Sequence, residues 1–327
     1  MLEVRDMRPE DIPEAVTLFN SNYRKLRRRV PVLPEGFESE QPVSEYLTEI
    51  LSRHYGVIAV EGNRIVGYWA AYRIPQFHGN WKGAYAPEWA HASITDKRET
   101  IYAEMYERMC RKWIDDSCIT HTLSFMTTDK ELKRFSFEKG FGLLYIDSVK
   151  EVEGLSGQSS QNALEIAPAG GEDLDALFDL EKKLFHFLLS PPVFRWSDHK
   201  PSYESVARNL QKETVKYWLC RREDRPAGFI VLDLEESEGS ELINDSQSAY
   251  IRGLYVEPEF RGRGIGSALL EEACRWASQS RIKRCTVDME SANGLSRTFW
   301  LTRFIPVCFT TIRKLDDRLY GATTGCF

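Results

Sequence analysis

Residues 261–267 read Arg-Gly-Arg-Gly-Ile-Gly-Ser, with glycines alternating at 262, 264 and 266 between Arg261 and Arg263. Glycine lets successive backbone N–H groups turn inward and lets a ligand approach the main chain closely. A helix is expected over Ser267–Ser280, and its N-terminus adds partial positive charge directly behind the loop. Such a cradle suits a pyrophosphate, and the two guanidinium groups are candidate clamps. Two carboxylates, Asp288 and Glu290, lie at the end of the following strand, expected over Arg284–Met289.

Three phosphate loops fit glycines of this kind. A Walker A loop requires Gly-Lys-Ser/Thr, but Ile265 and Gly266 follow Gly264. A dinucleotide fingerprint requires G-x-G-x-x-G; here Ser267 takes the third glycine's place, although Asp288 lies at a suitable distance. That fold opens its sheet with this element, and too little chain follows to build the remaining strands. The third is an acetyl-coenzyme A loop. Arg261-x-x-Gly264-x-Gly266, preceded by Leu254-Tyr255-Val256 and Glu257-Pro258, resembles the R/Q-x-x-G-x-G/A signature of the GNAT (GCN5-related N-acetyltransferase) superfamily. Asn293-Gly-Leu-Ser-Arg-Thr-Phe-Trp300 resembles the same family's Asn-x-x-Ala-x-x-Phe-Tyr helix, with Ser296 and Trp300 as substitutes, in the expected order.

The resemblance implies direct acyl transfer from acetyl-CoA to an amine, without a covalent enzyme intermediate and without a metal. It assigns cofactor binding to Leu254, Tyr255, Val256, Arg261, Gly262, Arg263, Gly264, Ile265, Gly266, Ser267, Asn293 and Trp300. Backbone groups near Leu254–Val256 would bind the pantetheine and polarise the thioester carbonyl. The amine must arrive neutral, so a base is needed. Some relatives carry glutamate where Tyr250 stands, and tyrosine, with an ordinary pKa of about 10, is a poor base; Tyr250 and Glu290 are the catalytic candidates. Trp300 replaces the usual tyrosine acid, and indole donates a hydrogen bond without being a usable acid. A thiol of pKa about 8.5 can leave unaided. The glycine expected before Phe304 is missing, which predicts an irregular turn. The resemblance assigns the acceptor pocket to the aromatic, proline-stiffened segment 186–199, with His186 (or His199), Trp196 and Asp288 as substrate-binding candidates.

The elements that must position these groups form two halves of one plan. Before the linker-like residues 153–161, a strand at Leu2–Val4 leads to a helix through Ile12, Val16 and Phe19. The hairpin Gly56–Val60/Ile65–Ala70 follows, then a strand near residues 83–90, a helix over 101–115 and a strand over 120–126. After the linker, Leu164–Ile166, a helix through Leu177, Leu180 and Leu184, and the hairpin Tyr217–Cys220/Pro226–Leu232 repeat the order. The expected class is α/β (α+β): two tandem GNAT domains with mixed, mostly antiparallel sheets flanked by helices, a layout similar to that of mycothiol synthase. Domains are expected at 1–152 and 162–327. Residues 91–100 of the first half contain no glycine, so a side chain at every position blocks the approach a pyrophosphate needs.

Composition bounds the rest. The 327 residues suffice for two cores, and a charged fraction of 28% is ordinary for a globular protein. A net charge of −6 argues against nucleic acid as a partner. No apolar run is long enough to predict a membrane span, and the N-terminus is expected to start in a strand rather than a leader. Seven cysteines without a C-x-x-C pair suggest reduced thiols and a cytoplasmic setting. The expected protein is a monomeric or homodimeric N-acetyltransferase acting on a small-molecule amine. A peptide or protein acceptor, or a non-catalytic acyl-CoA-binding regulator, are the alternatives.

Overall fold

The computed structural model describes residues 1–155, 164–197 and 200–318, so most of the expected linker, together with His199 and Cys326, lies outside the described residues. It is a mixed α/β fold with mostly antiparallel strand pairs. The chain divides into two compact units, Met1–Ile146 with Pro306–Phe327, and Asp147–Ile305. Sequence alone puts the second boundary at the chain end, whereas the structure assigns the last strand to the first unit. Pairing explains this, because that strand's hydrogen-bonding partner belongs to the first unit.

The first unit opens with β1 (Leu2–Asp6), α1 (Ile12–Arg29), α2 (Gln41–Arg53), β2 (Tyr55–Glu61) and β3 (Arg64–Ile74). It continues with β4 (Lys82–Ala86), β5 (His91–Ser93), α3 (Arg98–Asp115), β6 (Cys118–Met126), α4 (Lys130–Glu138) and the start of β7 (Gly142–Glu151). β2 and β3 turn at Gly62, whose φ of +61° is the left-handed conformation the hairpin requires. The strand expected near residues 83–90 ends at Ala86 as β4, which runs parallel to β6, and the stretch after it adds a short strand, β5, that pairs with β3. Pro87 lies in the break, and it lacks the N–H that a continuous ladder would use. α3 and α4 close an aromatic core in which Trp69, Tyr102, Trp113, Phe125 and Phe135 are all essentially buried.

The second unit runs through β8 (Glu165–Pro168), α5 (Leu174–Leu189), α6 (Tyr203–Gln211), β9 (Val215–Arg222) and β10 (Arg225–Asp233). It ends with β11 (Ser248–Val256), α7 (Ile265–Gln279), β12 (Arg284–Glu290) and α8 (Gly294–Leu301). The β9–β10 hairpin turns on Glu223 and Asp224, whose φ values of 52° and 58° are both positive. A two-residue turn that matches strand twist demands this. One face of β9, β10 and β11 presents Val215, Tyr217, Phe229, Val231 and Tyr255 to Leu177, Leu180 and Val206 of α5 and α6. α7 also packs on these strands. β13 (Ile305–Lys314) then returns antiparallel to β6, from Cys308 opposite Met126 to Lys314 opposite Thr120.

Candidate active site

The site begins with a strand that leaves its neighbour. β11 and β12 pair in parallel only from Ser248–Arg284 to Tyr250–Thr286. Beyond Tyr250 the edge of β11 away from β10 faces an opening, and its alternate backbone groups are available to a ligand. On the other edge β11 stays paired with β10, but the register slips between Val231–Gly253 and Leu232–Ile251, leaving Arg252 as a bulge. Arg252 pairs with the buried Asp233 at 3.2 Å.

At the open end of β11, a turn at Pro258–Phe260 feeds the glycine loop. Gly262 at φ +75° and Gly264 at φ +81° adopt a left-handed conformation, and Gly264 caps α7. Side chains disfavour that conformation. The first-turn N–H groups of α7 therefore point out of the loop without helical partners. A Cβ added at Gly266 would rest against the Phe299 ring at 3.4 Å, in ordinary van der Waals contact. Above Gly262 a Cβ would meet open space. This backbone fits a pyrophosphate.

A cleft of ≈ 1330 Å³ runs from this loop to the interior of the unit. Of the residues that sequence singles out for the donor, Leu254, Tyr255, Val256, Arg261, Gly262, Gly264, Ile265, Gly266, Ser267, Asn293 and Trp300 line it. Arg263 does not; it is exposed, with its guanidinium 5.9 Å from the Phe260 ring. Arg261 turns inward, donates from Nε to Val256 O at 2.9 Å and stacks on Phe187 and Tyr255. A cation that sequence reasoning misses, Arg303, lines the cleft and donates to Ser267 Oγ at 2.9 Å. Asn293 caps α8 by accepting from Ser296 N at 3.1 Å. Trp300 is buried, edge-on to Phe299 and Phe304, so it packs as an apolar wall.

At the inner end, Tyr250, Asp288 and Glu290 come together in the cleft. The Tyr250 hydroxyl donates to the Asp288 carboxylate. Burial raises the Asp288 pKa from its ordinary value, with the Tyr250 bond opposing. Burial and the adjacent Asp288 push the Tyr250 phenol well up, so it is a donor here and no base. Glu290 is ion-paired with Arg195 at 2.8 Å, and the same guanidinium holds Glu238 at 2.8 Å. Glu181 on α5 lies across the cleft; burial raises its pKa, while the Tyr217 hydroxyl bonds it at 2.6 Å.

On the acceptor side the structure departs from two expectations. His186 is exposed on α5, and its flanking Phe185 and Phe187 line the cleft in its stead, because the helix turns its side chain outward. Trp196 is 70% exposed and outside the lining, while Arg195 and Ser197 of the same loop are inside it. Helical spacing carries the signal for the first correction: Leu177, Glu181, Leu184 and Leu188 share one stripe of α5, and position 186 lies off it. Among the described residues, no group of three or more His, Cys, Asp or Glu is placed to hold a metal ion, and no helix is long and apolar enough to cross a membrane.

Residues 175–303, which contain every residue lining the cleft, match the acetyltransferase (GNAT) family. An uncharacterized N-acetyltransferase of Methanocaldococcus jannaschii is 28% identical over 88 residues, 26% of this chain and 38% of that protein. An aminoglycoside N(6')-acetyltransferase type 1 of Acinetobacter baumannii is 27% identical over 104 residues, 31% of this chain and 70% of that protein. The crystal structure of a GCN5-related N-acetyltransferase from Sphaerobacter thermophilus shares the fold, with a TM-score of 0.57 at 11% identity over 96% of this chain and 95% of that one. The match to the acetyltransferase (GNAT) family thus lies over the parted strands and the glycine-capped helix of the second unit.

Proposed function

We propose that the second unit transfers an acetyl group from acetyl-CoA directly to the amine of a small molecule. The observation that carries this is the separation of β11 from β12 after Tyr250, which aims the open strand edge at the N-terminus of α7. Residues of the glycine loop would hold the pyrophosphate, and the β11 edge near Leu254–Val256 would hold the pantetheine. When bound, acetyl-CoA supplies an activated acetyl thioester. Fixed N–H dipoles along β11 then stabilise the negative charge that develops on the carbonyl oxygen.

Asp288 is the proton acceptor in this proposal. Its raised pKa brings it nearer the operating pH, where a general base works best. Tyr250 orients the carboxylate by donating to it, a positioning role. Glu290, expected as a catalytic candidate, is held by Arg195 and serves to fix the loop around residues 190–197. Glu181, opposite, is suited to hold an ammonium group. The amine attacks the thioester carbonyl, its proton passes to Asp288, and the C–S bond breaks to release the thiolate. Trp300 offers no acid, so the thiolate leaves unaided.

We further infer that the first unit carries no donor site. Its α3 is preceded by Lys97 as the N-cap, with φ +55°, and Arg98 folds back to donate to Ser93 O at 2.8 Å and Ile94 O at 3.3 Å. Arg98 also pairs with Asp129, the N-cap of α4, so a side chain fills the space beside that helix start.

An amine panel with acetyl-CoA tests the activity. It should include small polyamines, amino acids, peptides and aminoglycosides, the last because of the Acinetobacter relative. Turnover of small amines in preference to peptides supports the proposal; binding of acetyl-CoA with no turnover of any amine would leave only a regulatory acyl-CoA binder.

A further inference from the structure

Arg303 stands where the last helix of the second unit ends, and a shortened turn puts it there. In the first unit α4 ends on Gly140 at φ +79°, and Phe141 N reaches back five residues to Ser136 O at 2.9 Å, the usual glycine-terminated exit. α8 has no left-handed residue at its end, and Phe304 N reaches back only four residues, to Trp300 O at 2.8 Å. The turn closes through Arg303 instead of a glycine, so a long cationic side chain emerges beside α7.

The guanidinium lies over the Phe299 ring at 4.2 Å. Its Nη1 donates to Phe299 O and to Thr302 Oγ1, both at 2.8 Å. Nη2 donates to Ser267 Oγ at 2.9 Å, in the first turn of α7. The Nε–H and one Nη2–H have no acceptor among the described residues. Arg195 and Arg252, also in the cleft, are neutralised by Glu238 and Glu290 and by Asp233 respectively. Arg303 has no carboxylate partner among the described residues. An uncompensated, ring-backed guanidinium with available donors is therefore fixed beside a helix N-terminus whose own N–H groups lack helical partners.

We propose that Arg303 clamps the pyrophosphate of the CoA donor against the start of α7, taking the role expected of Arg263. This rests on the donor site proposed above. The competing role is purely structural: a guanidinium bonded to Phe299 O also caps the C-terminus of α8.

Arg303→Met and Arg303→Lys in the full chain separate the two. Methionine keeps an apolar stem over Phe299 and removes the charge. Calorimetric titration of Arg303→Met should show CoA and 3'-dephospho-CoA weakened alike, by about tenfold, as loss of one partly exposed charge-assisted contact predicts. The salt dependence of binding should flatten, and lysine should recover part of the affinity. Turnover of S-acetylpantetheine, which lacks the pyrophosphate, should keep its kcat/KM. Unchanged CoA affinity, an effect absent with 3'-dephospho-CoA, or an equal loss with S-acetylpantetheine would each overturn the assignment. Wild-type protein that fails to bind CoA would bring down the donor site itself, a result distinct from all three.

Discussion

Replacing Asp288 by asparagine should remove activity and raise stability in one step. The new side chain is isosteric and its amide oxygen can still accept from the Tyr250 hydroxyl, so the hydrogen bond survives while the base is lost. Loss of a positioned general base costs about 10²–10⁴ in rate. The fall should be in kcat, with the KM for acetyl-CoA little changed, since Asp288 sits at the inner end of the cleft. The stability sign follows from the direction of the shift. Burial raises the folded-state pKa of Asp288 above its unfolded value, so its contribution is fully present below the unfolded pKa and is lost as pH rises through the folded one. Asparagine is uncharged throughout. The Asp288→Asn variant should therefore match the wild type in Tm at acid pH, where both side chains are neutral, and exceed it at neutral and higher pH. Acetyl transfer can be followed by CoA thiol release with a chromogenic disulfide, correcting for the protein's own thiols, and Tm by circular dichroism across a pH series. A variant with wild-type kcat, or with a lower Tm at neutral pH, would refute the role given to this carboxyl.

Other outcomes follow from the same geometry. Trp300→Phe should leave kcat within about threefold, because the ring packs rather than donates a proton, and should cost about 1–3 kcal/mol in chemical denaturation from lost packing. A tenfold or larger fall in kcat would assign Trp300 a chemical role. In Gly228→Ala the new Cβ would lie 2.5 Å from Tyr255 O and 3.1 Å from Val256 Cα. That variant should lose about 2 kcal/mol or more of stability and show a raised KM for acetyl-CoA; native Tm and KM would show that β10 and β11 yield freely there. Arg98→Met strands the Asp129 carboxylate in a largely buried site. It should cost about 3–5 kcal/mol in urea denaturation, and a loss under about 1 kcal/mol would show that the pair is solvated.

Local signals announce much of this fold. The hairpins, α7 and β12 are legible because alternation, turn residues and helical spacing are encoded within a few residues. The cradle is legible because Gly262 and Gly264 are needed for one backbone conformation and little else. α2 and α6 also carry local signals, though neither helix is among the expected elements: Pro42 at the start of one, and Ser202 accepting from Ser205 N at the start of the other. The direction of side chains on irregular backbone is not legible. Arg261 and Arg263 are equivalent clamps in a string of letters; the turn at Pro258–Phe260 sends one inward and the other to solvent. The missing glycine before Phe304 is visible, but not that Arg303 thereby reaches Ser267. Likewise Glu290 and Asp288 are two positions apart on one strand, and only the loop carrying Arg195 decides which is ion-paired and which meets Tyr250. The place of β13 depends on long-range pairing with β6, for which no local signal exists.

The central claim, a single acetyl-CoA site built on the loop of the second unit, is tested most directly by calorimetric titration of acetyl-CoA into the full chain and into Gly264→Glu. One site per chain, abolished by the variant in a protein of intact far-ultraviolet circular dichroism, is the predicted result. Two sites would contradict the donor-free first unit, and undiminished binding by the variant would contradict the cradle.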